Sequence, residues 1–232
     1  MNPLTLLAQG RLPSKWDWGF AAEVLPTLLS GLWLTVRATL VGITVAMVLG
    51  LVLAIARRSR RRLVSWPVAL FIEFVRSTPL LVQLYVLFFV LPDVGIRLSG
   101  FTAGVVGLGL HYGAYTSESY RAGIESVPRG QWESAVASNL KPFTTWTTVI
   151  LPQAIPTVLP ALGNYLIAMF KDAPMLAFIT VFELLGTANE IQKNSFRGIE
   201  VFTRAGLLFL SVSIPASFFV RYLEGRYGFQ RG

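Results

Sequence analysis

Residues 38–56 read ATLVGITVAMVLGLVLAIA and run directly into Arg57-Arg58-Ser59-Arg60-Arg61-Arg62. A helix needs about 20 mostly apolar residues to cross the hydrocarbon core of a bilayer. This run supplies them and extends backwards to about Leu25. Lys and Arg that flank a span are retained in the cytoplasm, so the basic cluster is the strongest orientation signal in the chain. It predicts the N-terminus outside. Arg37 then falls toward the outer part of the helix, where its aliphatic stem can snorkel to the interface.

The composition has the same meaning. Of 232 residues, 53% are hydrophobic and 14% charged, with a mean hydropathy of +0.59. A soluble domain carries about 25% charged residues. The net charge of +8 would point to nucleic acid in a soluble protein. Here the basic residues sit at the ends of apolar runs, which excludes nucleic acid as the partner and makes the lipid bilayer the environment. With no cysteine, disulfides and thiolate metal sites are excluded. The first 20 residues include Arg11 and Lys15 but no sustained apolar region with a cleavage site, so no cleavable signal segment is expected. Trp16 and Trp18 suit a membrane interface.

Working outward from the first span, a second is predicted from about Trp66 to Leu91, interrupted at Arg76-Ser77-Thr78-Pro79. A third covers about Phe101 to Ile124. Its Gly100 and Gly104 make a small-xxx-small step that permits close helix approach, and it carries His111, Tyr112, Glu118 and Arg121. Residues 125–150 are a polar interval that Arg121, Arg129 and Lys141 place in the cytoplasm. The fourth span runs from about Ile155 to Phe170, where Lys171-Asp172-Ala173-Pro174 is expected to break the helix. Met175 to Ala188 reads as an apolar helix too short to cross, partly re-entrant or on the pore side. Lys193 and Arg197 follow outside, a mild exception to the charge rule. The last span covers about Phe202 to Leu223, with Arg221, Arg226 and Arg231 inside. The expectation is an all-α polytopic protein of five spans, N-terminus out and C-terminus in, forming one membrane domain over residues 1–232.

Within the polar interval, residues 132–154 read WESAVASNLKPFTTWTTVILPQA. Pro128 suits a first helical turn, and Pro142 suits N1 of a new helix, since neither position needs an N–H. Glu133 in the early helix favours the dipole. Asn139 stands where a helix commonly ends in a left-handed residue, and Asn tolerates that conformation second only to Gly. The prediction is helix, sharp turn, helix, with a small-residue face able to lie in a groove of another protein.

At these residues the chain resembles the membrane permease subunits of ATP-binding-cassette importers. Their cytoplasmic loop reads Glu-Ala-Ala, three residues, Gly, about nine residues, then Ile-x-Leu-Pro. Glu133-Ser134-Ala135 is similar to its start and Val149-Ile150-Leu151-Pro152 to its end, with Asn139 in place of the Gly and Leu140-Lys141 after it. Glu73-Phe74-Val75-Arg76-Ser77-Thr78-Pro79-Leu80-Leu81-Val82-Gln83 resembles the Arg-Gly-Thr-Pro-Leu-Leu-Val-Gln signature of polar-amino-acid permeases, with Ser77 where Gly is usual. Tyr115 to Val127 is similar to that family's third span, and Lys171-Asp172-Ala173-Pro174-Met175-Leu176 to its Lys-Asp-Thr-Ser-Leu-Leu segment. A narrower resemblance, at Asn139-Leu140 and from Asn164-Tyr165 to Pro174, is to permeases for ectoine and hydroxyectoine.

The resemblance implies a type I importer permease of the MetI-like fold in a bacterial cytoplasmic membrane. It implies a second permease, identical or homologous, two ATPase subunits and an extracytoplasmic solute-binding protein. Residues 125–152 become a coupling loop in which Glu133, Ser134, Ala135, Asn139, Leu140 and Lys141 meet an ATPase. No G-x-x-x-x-G-K-[S/T] loop occurs, so ATP and Mg²⁺ belong to the partners and this chain is expected to bind no cofactor. It is not expected to be an enzyme: His111 is the single histidine, with no nucleophile at a convincing spacing.

Charges within spans face a bundle interior or a water path. Glu73 and Arg76, spaced i,i+3, suit a structural ion pair. Lys171 and Asp172 suit either local pairing or the wall of a solute path beside a broken helix. His111, Tyr112 and Tyr115 suit packing, or a wall for an ammonium group. The residues expected to border the path are Arg76, Thr78, Pro79, Gln83, His111, Tyr115, Glu118, Lys171 and Asp172. A different class, a membrane scaffold or sensor that docks an ATPase without transport, is the alternative.

Overall fold

A computed structural model describes residues 16–227; Arg11, Lys15 and Arg231 lie outside the described residues. A short helix α1 (Trp18–Glu23) leads into α2 (Leu25–Arg57). Then come α3 (Arg62–Ser77) and α4 (Leu80–Tyr85), the latter continued by a π-wound turn Val86–Val90 and a 3₁₀ turn Leu91–Val94. Next are α5 (Gly100–Glu125) and α6 (Arg129–Ala137). A turn Pro142–Thr144 and a π-wound stretch Thr145–Ile150 feed α7 (Leu151–Asp172). A 3₁₀ segment Ala173–Ile179, α8 (Leu184–Ser195) and α9 (Gly198–Tyr227) complete the described chain.

Among the described residues, three helical runs are long and apolar enough to cross a membrane: Trp18–Arg57, Pro142–Ile179 and Gly198–Arg226. The first contains the opening stretch. Its outward residues Leu40, Val48, Val52 and Ile55 are exposed apolar side chains, as a lipid-facing surface requires. The second span is broken where the sequence interrupts it: Arg62–Ser77 and Leu80–Val94 meet at a 105° bend and are long and apolar enough to cross only together. Thr78 is extended (φ −106, ψ 138), as a residue before proline prefers, and Pro79 starts the new helix without needing an N–H. Helix α5, with 26 residues, has the length to cross, but its polar residues make it less apolar than those three runs.

Glycines bring α5 to the centre of the bundle. A Cβ on Gly109 would stand 2.5 Å from the Val45 side chain, and one on Gly113 2.9 Å from that of Leu49. Helices α2 and α5 therefore meet almost backbone to backbone. The Gly100–Gly104 step works against a different neighbour: Cβ atoms there would lie 2.8 Å from the Ile179 carbonyl oxygen and 2.6 Å from Leu176. Ala38, Ile43, Leu84, Leu108, Met169 and Leu176 share the main apolar core around these contacts.

The segment after α7 corrects the sequence reading twice. No break occurs at Lys171–Pro174; the chain tightens from α to 3₁₀ winding at Asp172–Ala173 and continues to Ile179. Pro174 is accommodated because it sits within the first two residues of the new winding. Nor is Met175–Ala188 a single helix. The chain reverses at Thr180 (φ 65), and α8 starts only at Leu184. Glu183 caps it, its carboxylate accepting from Gly186 N at 2.7 Å and from the Thr35 hydroxyl of α2 at 3.2 Å. That side chain is fully buried, so these bonds meet the desolvation cost of the carboxylate.

Arg197, the exception to the charge rule, is a structural staple. It binds Glu200 at 2.7 Å and Asp17 at 3.5 Å, and lies over the Phe20 ring at 5.2 Å. Asp17 N also donates to the nearly buried Glu200 carboxylate at 3.1 Å. The cluster ties the start of α1 to the first turn of α9.

Candidate functional site

Helix α5 projects His111, Tyr112, Tyr115 and Ser119 toward α7, which answers with Tyr165 and Asp172. The spacings i, i+3 and i+7 on α5, and i, i+7 on α7, stack each set on one helix face. Tyr112 and Tyr115 lie 6.2 and 6.0 Å from Tyr165, and His111 lies 5.2 Å from Tyr115, centroid to centroid. The Tyr112 hydroxyl donates to Asp172 Oδ2 at 2.6 Å, a short charge-assisted bond. The Ser119 hydroxyl donates to the Tyr165 hydroxyl at 3.2 Å. The His111 Nδ1 atom is buried without a hydrogen-bond partner. On the other flank, the Arg76 guanidinium of α3 lies 5.3 Å from the Tyr115 ring centre. Arg76 thus turns to an aromatic face, and forms no ion pair with Glu73 of the kind i,i+3 spacing allows. The result is an aromatic cluster with a carboxylate on one side and a guanidinium on the other.

Two residues beyond Arg76, the helix break forms its own polar cluster. Gln83 Nε2 donates to Val75 O at 2.8 Å, Thr78 O at 3.1 Å and Thr78 Oγ1 at 2.8 Å. Breaking a helix in a bilayer strands carbonyls that water cannot reach. Gln83 and Thr78 occupy those carbonyls, so the Thr-Pro-Leu-Leu-Val-Gln pattern reads here as a bend with its cap built in. Gln83 Oε1 is left buried and unpartnered.

The remaining expected path residues lie elsewhere. Glu118 is drawn into an ion network with Arg57 at 3.0 Å and Arg121 at 2.9 Å; Arg121 also reaches Glu125 at 2.6 Å. It thereby ties α5 to the basic end of α2. Lys171 points away from its neighbour Asp172, into a groove of about 380 Å³ between α7 and α9 that Asn164, Ser217 and Arg221 also line. Sequence reasoning left Tyr165 and Ser119 out of the path. The signal was present: Tyr165 lies seven residues before Asp172, two helical turns on the same face.

The loop between α5 and α7 carries the second arrangement. Helix α6 ends in a Schellman motif: Leu140 N donates to Ala135 O at 3.1 Å and Asn139 N to Val136 O at 2.9 Å. Asn139 holds the left-handed position with φ 52. Lys141 is extended and Pro142 stands in the first turn of the next helix. Two details differ from expectation. Pro128 flanks α6 as its N-cap, and Glu133 falls in the second turn, because the helix starts only at Arg129. Ala135 is buried, and nearby Ile124, Val127 and Ile150 form a small core onto which Trp132 and Trp146 pack, meeting edge to face at 5.3 Å. The opposite side exposes Glu133, Ser134, Asn139 and Lys141 together with Val136 (77% exposed) and Phe143 (80%).

A helical bundle with apolar spans, a capped helix bend and an exposed knuckle fits a membrane permease subunit. Residues 46–228 match the model of the binding-protein-dependent transport system inner membrane component family, and the chain belongs to that family. It is 46% identical over 214 residues to the probable amino-acid ABC transporter permease protein y4tG of Sinorhizobium fredii (strain NBRC 101917 / NGR234), covering 90% of this chain and 93% of that one. Against the glutamine transport system permease protein GlnP of Escherichia coli (strain K12) identity is 32%, over 91% of this chain and 98% of the relative. A chain in the crystal structure of an amino acid ABC transporter with histidines superposes with a TM-score of 0.85 at 32% identity, over 91% of this chain and 99% of that chain. The MetI-like permease fold expected from the motifs is thereby shown.

Proposed function

We propose that this chain forms the solute path of an ATP-driven importer for a polar amino acid. The carrying observation is the aromatic cluster with Asp172 on one side and Arg76 on the other. An amino acid is a zwitterion: its ammonium group suits a carboxylate and ring faces, and its carboxylate suits a guanidinium. The names of the relatives, amino-acid and glutamine permeases, favour the same class. Ectoine, a cyclic zwitterion, fits the same chemistry and is the second solute to test.

In this reading the chain crosses the membrane five times, α5 included, with residues 125–152 in the cytoplasm. A polar α5 is tolerated because glycines seat it inside the bundle rather than against lipid. The α6 knuckle docks in an ATPase subunit through Val136, Phe143 and the small face around Ser134. A Schellman turn suits this task, since it holds the knuckle stiff enough to pass nucleotide-driven closure into α7. A second permease, two ATPases and a solute-binding protein complete the assembly, and ATP and Mg²⁺ stay on the ATPases.

The test is ATP-dependent uptake in vesicles holding the whole complex and its binding protein, with glutamine, other polar amino acids and ectoine as competing solutes. Asp172→Asn and Arg76→Gln should each raise the half-saturating solute concentration while the complex stays assembled, and Glu133→Lys should release the ATPase. Unchanged uptake in both path variants would remove the cluster from the path.

A further inference from the structure

Helix α3 carries a feature that neither the ring cluster nor the coupling loop uses. No acidic residue occurs between positions 24 and 72, yet five arginines fall within residues 57–62. Two of them have partners in the bundle: half-buried Arg57 pairs with Glu118 at 3.0 Å, and exposed Arg58 lies over the Trp146 ring at 5.8 Å. Arg60, Arg61 and Arg62 are exposed, and none has an acidic partner among the described residues. Helix α3 begins at this turn and displays Leu63 (92% exposed), Trp66 (71%), Leu70 (60%) and Phe74 (65%), a stripe along one side. Its other side is closed, with Ile72 and Val75 packed on Leu53 and Ala114. Pro67, Leu70, Phe71 and Phe74, with Glu73 and Ser77 at the far end, line an open groove of about 550 Å³.

The dimensions identify the occupant. From Leu63 to Phe74 the helix rises about 17 Å, at 1.5 Å per residue. That is close to one leaflet, half of a hydrocarbon core about 30 Å thick. A cationic cap on an apolar stripe one leaflet long is complementary to a molecule with an anionic head and an acyl tail. We propose that Arg60, Arg61 and Arg62, with the Leu63–Trp66–Leu70–Phe74 stripe, bind an anionic phospholipid of the cytoplasmic leaflet. The guanidinium groups hold the head-group phosphate, Trp66 sits at the interface, and an acyl chain lies along the stripe. The leaflet assignment rests on the orientation proposed above; Arg58 on Trp146 independently puts the basic turn at the same end as the coupling knuckle. Because α3 ends at the bend that carries Arg76 and Thr78, the lipid would steady the solute path from its flank.

The test is native mass spectrometry of the assembled complex supplied with mixed phosphatidylglycerol and phosphatidylcholine, with uptake in vesicles of each lipid alone as a separate measurement. Wild type should retain phosphatidylglycerol selectively. Juxtamembrane basic residues each change anionic-lipid affinity about fivefold, so Arg60→Gln/Arg61→Gln/Arg62→Gln should weaken retention on the order of 100-fold. The matching triple lysine variant should keep most of it, which separates charge from folding. Equal retention of the two lipids by wild type would overturn the proposal without any variant. So would a glutamine variant that keeps its lipid but sheds the ATPase, which would assign the arginines to that subunit. Lipid retention is read without transport, so a complex that imports nothing in either lipid refutes the importer reading alone.

Discussion

Replacing Gln83 tests whether the bend at Thr78–Pro79 is held by its cap or by the solute. The Gln83 amide has two hydrogens shared among Val75 O, Thr78 O and Thr78 Oγ1. Val75 O keeps other donors, the Thr78 hydroxyl at 3.1 Å and Thr78 N at 3.4 Å. Thr78 O has only Gln83. Gln83→Leu preserves volume, orphans that carbonyl and weakens the bonding of its neighbour. A buried unsatisfied polar group costs about 1–3 kcal/mol, so the loss should be about 2–4 kcal/mol. For a chain of this size that lowers the thermal midpoint by roughly 4–16 °C. Gln83→Glu is the discriminating variant. It swaps the donor for an acceptor facing two carbonyls and should be at least as damaging as Leu. It also preserves the Oε1 acceptor, which is buried and unpartnered. If Gln83 served the solute through that atom, the Glu variant would transport well. Thermal unfolding of the purified complex and ATP-driven uptake would be measured side by side. A Gln83→Glu protein matching wild type in both would refute the capping argument, as would a Gln83→Leu protein with an unshifted midpoint.

Three further outcomes follow from the same geometry. Asn139→Gly should leave ATPase co-purification intact or improve it. Asn139→Val forces a β-branched residue to φ 52 and should cost about 1–2 kcal/mol, seen as weakened ATPase binding at unchanged solute affinity. Arg197→Ala leaves the Glu200 carboxylate, itself only 2% exposed, with Asp17 N as its remaining donor and should destabilise by about 1–3 kcal/mol in thermal unfolding; the double variant Arg197→Met/Glu200→Leu should lose less than the single. Gly109→Val pushes a side chain into Val45 and should cost about 1–3 kcal/mol, with partial relief from Val45→Ala in a double-mutant cycle.

Local chemistry alone settled much of this protein. An apolar run of sufficient length can only be a helix in a bilayer, so residues 38–56 were legible without a fold. Asn139 was legible because the demand for positive φ falls on one residue and few residue types meet it. The α-to-3₁₀ change at Asp172 and the reversal at Thr180 were not legible. Thr is a poor residue for a left-handed turn, and it is held there by packing of Leu176 and Ile179 against Gly104 and Gly100, which lie far away in sequence. The site divided in the same way. Periodicity places His111, Tyr112 and Tyr115 on the same side of α5, and Lys171 next to Asp172, and goes no further. Only the packed bundle turns Asp172 to Tyr112 and Lys171 to the α9 groove, pairs Glu118 with Arg57, and leans Arg76 on Tyr115. Adjacent residues on a helix diverge by about 100°, so which of two neighbouring charges meets the rings depends on the rotation of α7 about its axis. That rotation is set by how α5 and α7 fit together, with Gly123 admitting the Val158 side chain, a contact between helices that no local pattern encodes.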